Sequence, residues 1–237
     1  MTPATSPLCV ALDGTDRHWI ESMAATLVHS AGWLKVGLEA FTAHGPDLVR
    51  RVVEVGPRVF LDLKLHDIPN TVRRAAANCA ALGAQMFNVH ASGGSAMLRA
   101  AVEGAREGAE GPPPKVIAVT VLTSLDADGL AELGMDWQPE ELVVHWARMA
   151  RDCGLDGVVA SAREAAAIRR ACGPDFLIVT PGIRPAWAAT DDQRRIVTPA
   201  EAVERGADIL VVGRPITRAD DPAAAAAGVL EEIAGRN

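Results

Sequence analysis

Nowhere in its 237 residues does the chain carry 18 consecutive uncharged apolar residues, which excludes an ordinary membrane-spanning helix. An export signal is missing too: the N-terminal MTPATSPLCVALDG has no basic start, and its apolar stretch LCVAL is too short for a signal core. A cytoplasmic location is therefore expected. Cysteine is scarce, and the four present (Cys9, Cys79, Cys153, Cys172) never fall at CxxC spacing. That argues against a zinc site or a disulfide scaffold and fits reduced core thiols. Positive charge is in deficit, with 23 Lys and Arg against 30 Asp and Glu and a net charge of -7. A non-specific nucleic-acid groove is not expected, though this balance leaves room for a local basic pocket that grips a small anion. The loop LDGTDRHW after the first apolar run lacks the GxGxxG of a dinucleotide-binding turn.

What the chain does contain is a repeating alternation. Hydrophobic residues make up 49% and charged ones 22%, the balance of a globular domain. Eight short apolar runs recur: LCVAL (8–12), WLKVG (33–37), RVFLDLK (58–64), MFNVH (86–90), KVIAVTVL (115–122), GVVAS (157–161), FLIVT (176–180) and DILVVG (208–213). Between them lie stretches with helical spacing, such as Trp19-Met23-Leu27 and Leu142-Val143-Trp146-Met149, punctuated by Gly32, Gly83, Gly154 and Gly206. Eight βα units with near-continuous apolar strands predict one α/β domain over residues 1–237, a parallel (β/α)8 TIM barrel. A doubly wound open sheet is the alternative.

One strand is unlike the rest. FLDLKLHDIPNTV (60–72) places Asp62, Lys64 and His66 on one side of an extended chain and Leu61, Leu63 and Leu65 on the other. If both sides are buried, the charges must face each other or a ligand, because unpaired burial costs several kcal/mol. Asp67 lies past the strand end, before the Ile68-Pro69 turn, and can point away from its own barrel mouth. Barrel active sites form at strand C-termini, and there the sequence offers Asp13, Lys35, the Asp62/Lys64/Asp67 group, His90, Thr123, Thr180 and Arg214. His90 or Thr180 alone reads as a solvated turn residue. Lys35 and Lys64 lie within strands and are harder to dismiss. VVGRPIT (211–217) ends the eighth run with Gly213, where a backbone N–H can approach an anion, and Arg214, a planar fork of donors. The connection PGIRPAWAATDDQRRIVTP (181–199) has no apolar period and reads as a mobile closing loop.

With these residues in view, the sequence closely resembles the bacterial orotidine 5'-phosphate decarboxylase family along nearly its whole length. The resemblance is carried by ALD (11–13), LKVGLE (34–39), FLDLKLHDIPNT (60–71), NVHASGG (88–94), VTVLTS (119–124), TPGIRP (180–185), DDQRRIVTP (191–199) and VGRPIT (212–217). It implies conversion of orotidine 5'-phosphate to uridine 5'-phosphate and CO2, the final step of de novo pyrimidine nucleotide synthesis, with neither metal nor cofactor. It implies Lys64 as proton donor, with Asp62, Lys35 and Asp67 completing a catalytic charge array. It also implies a homodimer in which Asp67 and Thr71 reach the partner's site, with Ile68 among the substrate-binding residues. Asp13 and Lys35 would contact the ribose, Thr123 the pyrimidine, and Gln193, Gly213 and Arg214 the phosphate, with Arg184 in the lid region.

Loss of CO2 from carbon 6 leaves an electron pair in the ring plane, which the ring π system cannot delocalise. A Lys64 ammonium, kept charged by flanking Asp62 and Asp67, would stabilise that pair and then protonate it. Three other readings stand beside this one. The acids could ligate a divalent cation in a related sugar-phosphate decarboxylase or epimerase. The barrel could bind a nucleotide phosphate without catalysis. The Asp-Lys-Asp group could be an ion-pair network that only fixes the fold.

Overall fold

The computed structural model describes residues 6–188 and 197–235. Eight parallel strands run in sequence order around a closed barrel: β1 Leu8–Ala11, β2 Trp33–Gly37, β3 Arg58–Leu65, β4 Met86–His90, β5 Lys115–Val119, β6 Gly157–Val159, β7 Leu177–Thr180 and β8 Ile209–Val212. β8 pairs back onto β1, Leu8 opposite Leu210. Parallel neighbours need a crossover, and helices supply it: α1 Arg17–Leu27, α2 Leu38–Val55, α3 Pro69–Ala81, α4 Gly94–Glu107, α5 Ala127–Glu132, α6 Pro139–Asp152, α7 Ala165–Cys172, α8 Pro199–Glu204, α9 Arg214–Thr217 and α10 Pro222–Ala234. The expected (β/α)8 barrel is thus the observed one, and the open sheet is ruled out by closure. Among the described residues no helix is long and apolar enough to cross a membrane.

The near-continuous apolar strands follow from burial on both faces. Leu8, Val10, Leu34, Leu61, Phe87, Ile178 and Leu210 face the helices, while Cys9, Ala11, Trp33, Phe60, Met86, Ile117, Val179, Ile209 and Val211 fill the barrel. Burial pushes the thiols of Cys9 and Cys79 up, to about 12 and about 11, so both stay neutral core residues. Around the outside, α3 and α4 meet closely: a Cβ on Gly104 would lie 2.0 Å from the Arg73 carbonyl oxygen, and one on Gly108 equally close to that of Ala77.

The interior changes character along the strands. At the N-terminal end the Arg58 guanidinium lies over the Trp33 ring, 4.1 Å from its centroid, and donates to the Gly32 carbonyl. Two residues on, on the same inward face, Trp33 gives way to Lys35; Phe60 gives way likewise to Asp62. The barrel floor is therefore apolar and its mouth charged. β5 ends at Val119, three residues short of the expected Leu122. Thr120 donates both its N–H and its hydroxyl to the Val159 carbonyl, and the chain then leaves the ladder. Val121 and Leu122 continue the apolar run because they wall the mouth, not because they pair.

Candidate active site

Asp62 is the hub of the mouth. Its Oδ1 accepts from Lys64 Nζ at 2.6 Å, its Oδ2 lies 3.2 Å from Lys35 Nζ, and Lys35 donates in turn to Asp13 Oδ1 at 2.9 Å. The order Asp13-Lys35-Asp62-Lys64 alternates in sign. Burial on its own would push the Asp62 carboxyl up, yet the ammonium groups of Lys35 and Lys64 and the hydrogen bonds from Lys64 and Asn88 hold it below its ordinary value. For Lys35, burial pulls downward and is outweighed by Asp62 and Asp13, so its ammonium is held above its ordinary value. Both groups are ionised at neutral pH.

Gly37 makes the Lys35 geometry possible. A Cβ there would lie 2.8 Å from Lys35 Nζ and 3.1 Å from Asp13 Oδ1, in the space where the lysine tip meets its acid. Asp13 is presented by the loop entering α1, whose first turn is capped by the Asp16 side chain accepting from Trp19 N–H.

Lys64 reaches the mouth by an irregular route. It has φ 54°, the one non-glycine residue with positive φ among those described. Left-handed backbone costs a side-chain-bearing residue about 1–2 kcal/mol. β3 advances from Leu61 to Leu65 while β4 advances only from Phe87 to Val89, so β3 bulges between them. Regular alternation expected Lys64 beside Asp62, and it stands there, but through this bulge. The Asn88 carboxamide supports it: Oδ1 accepts Lys64 N–H at 2.7 Å and Nδ2 donates to Asp62 Oδ1 at 2.7 Å. Sequence reasoning assigned Asn88 no role. The available signal was a lone amide in the apolar run MFNVH, which burial obliges to find partners.

A cavity of about 230 Å³ opens above this network, lined by Lys35, Phe60, Asp62, Lys64, Thr123 and Pro181 among others. Its lining combines the charged groups of Lys35, Asp62 and Lys64 with the apolar side chains of Val121 and Leu122, the make-up of a small-molecule site. The pair His66–His90 flanks the exit of β3 and β4, with ring centroids 5.4 Å apart. Burial, His66 and Lys64 all disfavour a charged His90, whose pKa is lowered. A larger groove of about 510 Å³ between α6 and α7, lined by Trp137, His145 and Arg170, lies in the helix layer, away from these charges.

Other expected site residues stand elsewhere on the same face. Asp67, Ile68 and Thr71 are exposed on the rim where β3 enters α3; the Asp67 carboxylate accepts its neighbour Ile68 N–H at 2.6 Å and makes no ion pair among the described residues. Gly213 and Arg214 follow β8 and open α9. The segment read as a closing loop is partly built into the fold: Ile183 and Val197 form a parallel bridge, Arg184 N–H donates to the Val197 carbonyl, and Arg184 is 4% exposed. Gln193 lies outside the described residues. Among the described residues, no group of three or more His, Cys, Asp or Glu is placed to hold a metal ion.

Residues 6–229 match the family model described as "Orotidine 5'-phosphate decarboxylase / HUMPS family". An orotidine 5'-phosphate decarboxylase of Moorella thermoacetica is 56% identical over 234 residues, covering 97% of this chain and 93% of that protein; one of Geobacter sulfurreducens is 51% identical, covering 97% of each. A crystal structure of the enzyme so named from Lactobacillus acidophilus superposes with a TM-score of 0.86 at 40% identity, over 96% of this chain and 98% of that one.

Proposed function

The chain belongs to the orotidine 5'-phosphate decarboxylase / HUMPS family, and on that premise we propose that it converts orotidine 5'-phosphate to uridine 5'-phosphate and CO2 in pyrimidine nucleotide synthesis, without metal or cofactor. The observation that carries this reading is the Asp62 carboxylate held between the Lys35 and Lys64 ammonium groups at the barrel mouth. As the bond from carbon 6 to the carboxylate breaks, its electron pair stays on carbon 6 in the ring plane and CO2 departs. Lys64 stabilises that pair and gives it a proton from Nζ; the neutral amine is recharged from solvent. Asp62 holds both Lys64 and Lys35 in place and keeps Lys35 charged. The related reading as a metal-dependent sugar-phosphate decarboxylase is disfavoured because both Asp62 oxygens already face ammonium groups.

The other site residues take supporting roles in this reading. Asp13 and Lys35 hold the ribose, Thr123 the pyrimidine, and Gly213, Arg214 and Gln193 the phosphate, with Arg184 bracing the segment that leads to Gln193. Binding at the phosphate, far from carbon 6, orients the ring. Asp67, Ile68 and Thr71 complete the site of the partner in a two-fold homodimer. Support comes from their place on the rim, the exposure of Ile68 at 67%, and two more exposed apolar residues beyond strand ends on the same face, Leu38 and Leu122. The test is loss of orotidine 5'-phosphate absorbance with one CO2 released per uridine 5'-phosphate formed, unchanged by EDTA. Activity that required added magnesium or zinc would favour the metal-dependent alternative.

A further inference from the structure

Asn88 belongs to no part of the machinery assigned above, yet it is 1% exposed and touches both halves of the Asp62-Lys64 pair. We propose that Asn88 is a positioning residue for proton transfer: its carboxamide clamps the left-handed backbone of Lys64 and the carboxylate of Asp62 in the one arrangement that aims the lysine ammonium into the mouth. The proposal rests on the decarboxylase reading.

The bulge in β3 takes Lys64 N–H out of the regular ladder, and a buried N–H must find another acceptor. Asn88 Oδ1 is that acceptor, at 2.7 Å. The other end of the same amide donates to Asp62 Oδ1, the oxygen that also receives Lys64 Nζ. One rigid planar group thus spans a ring closed through Asp62, Leu63 and Lys64. Its orientation is set at both ends, because a reversed amide would set a donor against Lys64 N–H and an oxygen against the carboxylate. Aspartate cannot replace it while ionised, since its second oxygen would face Asp62. Alanine would free both. The charged and titratable groups around the amide are Lys35 from β2, with Asp13 behind it, Asp62 and Lys64 from β3, and His90 from β4, with His66 beside it.

Full-length Asn88→Ala and Asn88→Asp enzymes, with melting and uridine 5'-phosphate affinity measured alongside, test the assignment. Asn88→Ala should lose about a hundredfold in kcat through misaimed proton transfer, with KM within about threefold of wild type. Asn88→Asp should be impaired at about pH 8 and regain kcat relative to wild type toward about pH 5, because a protonated carboxyl restores both contacts. Lys35, held above 10.5, does not titrate in this range, and the ratio to wild type removes the part of the His90 titration common to both enzymes. In a crystal structure of Asn88→Ala, Lys64 should leave φ 54° and its Nζ should move away from Asp62. A folded Asn88→Ala with kcat within about threefold, or one whose Lys64 keeps its φ and its contact, would overturn the proposal. If Asn88→Ala does not fold, Asn88→Asp decides, and a pH-independent ratio overturns it. A wild-type chain inert toward orotidine 5'-phosphate would count against the reaction itself, while the crystal geometry would still decide the role of Asn88.

Discussion

Replacing Asp62 by asparagine keeps the side-chain volume and removes the charge that joins Lys35 to Lys64. Unit charges at the observed 2.6 and 3.2 Å attract by about 6 and 5 kcal/mol gross at an effective dielectric of about 20. Desolvation of the three groups offsets much of this, and removing one member of a buried pair costs about 3–5 kcal/mol in net stability. Lys35 bears the cost, its side chain being 10% exposed with Asp13 as its remaining partner, whereas Lys64 at 29% recovers hydration. For a domain of this size the loss lowers Tm by about 6–20 °C. Urea titration followed by circular dichroism at pH 7, without nucleotide, measures it. Adding Lys35→Met to Asp62→Asn should return about 2 kcal/mol or more, since the uncompensated ammonium is then gone.

The pH dependence carries a sign. Asp62 is held below its ordinary 3.8, so its stabilisation is present above that pH and is lost as pH falls through the lower folded value. Lys35 is held above 10.5, so its contribution is complete below that pH and is lost as pH rises through the higher folded value. The gap between wild type and Asp62→Asn should therefore be flat from about pH 4 to about pH 10 and close on the acid side. A variant within about 0.5 kcal/mol of wild type, or one whose second substitution is simply additive, would refute the bridging role.

Gly37→Ala should displace the Lys35 tip, which lies 2.8 Å from the new methyl, and lower kcat/KM by about tenfold or more with little change in Tm. Arg214→Ala should raise KM for the phosphorylated substrate by about ten- to a hundredfold, the worth of lost charge-assisted hydrogen bonds, with a smaller loss of saturated turnover as the ring is less firmly oriented. Inactive Lys64→Ala and Asp67→Ala homodimers, dissociated, mixed equally and reassociated, should regain about a quarter of wild-type activity if Asp67 serves the partner's site; no recovery means it serves its own.

Much of the fold was legible because burial on both strand faces leaves apolar runs. The same logic overran β5, where Val121 and Leu122 are apolar as a wall of the mouth. Asp62 and Lys35 were legible as charges inside strands. The bulge at Lys64 was not: alternation assumes a regular strand, and the acceptor that holds the left-handed turn is Asn88, 24 residues away in sequence. Gly37 carried no local signal either, since its need for hydrogen at Cα comes from the Lys35 tip folding back over it. Arg184 reads as a loop residue among prolines and glycines, yet it is 4% exposed beside the bridge between Ile183 and Val197, a long-range pairing that no local pattern announces.

Lys64→Ala tests the central claim most directly, with saturated turnover of orotidine 5'-phosphate measured beside the affinity for uridine 5'-phosphate. If Lys64 acts on the transition state as proton donor and countercharge, turnover should fall by about a thousandfold or more while product affinity stays within about threefold. Turnover within about tenfold of wild type would contradict the account.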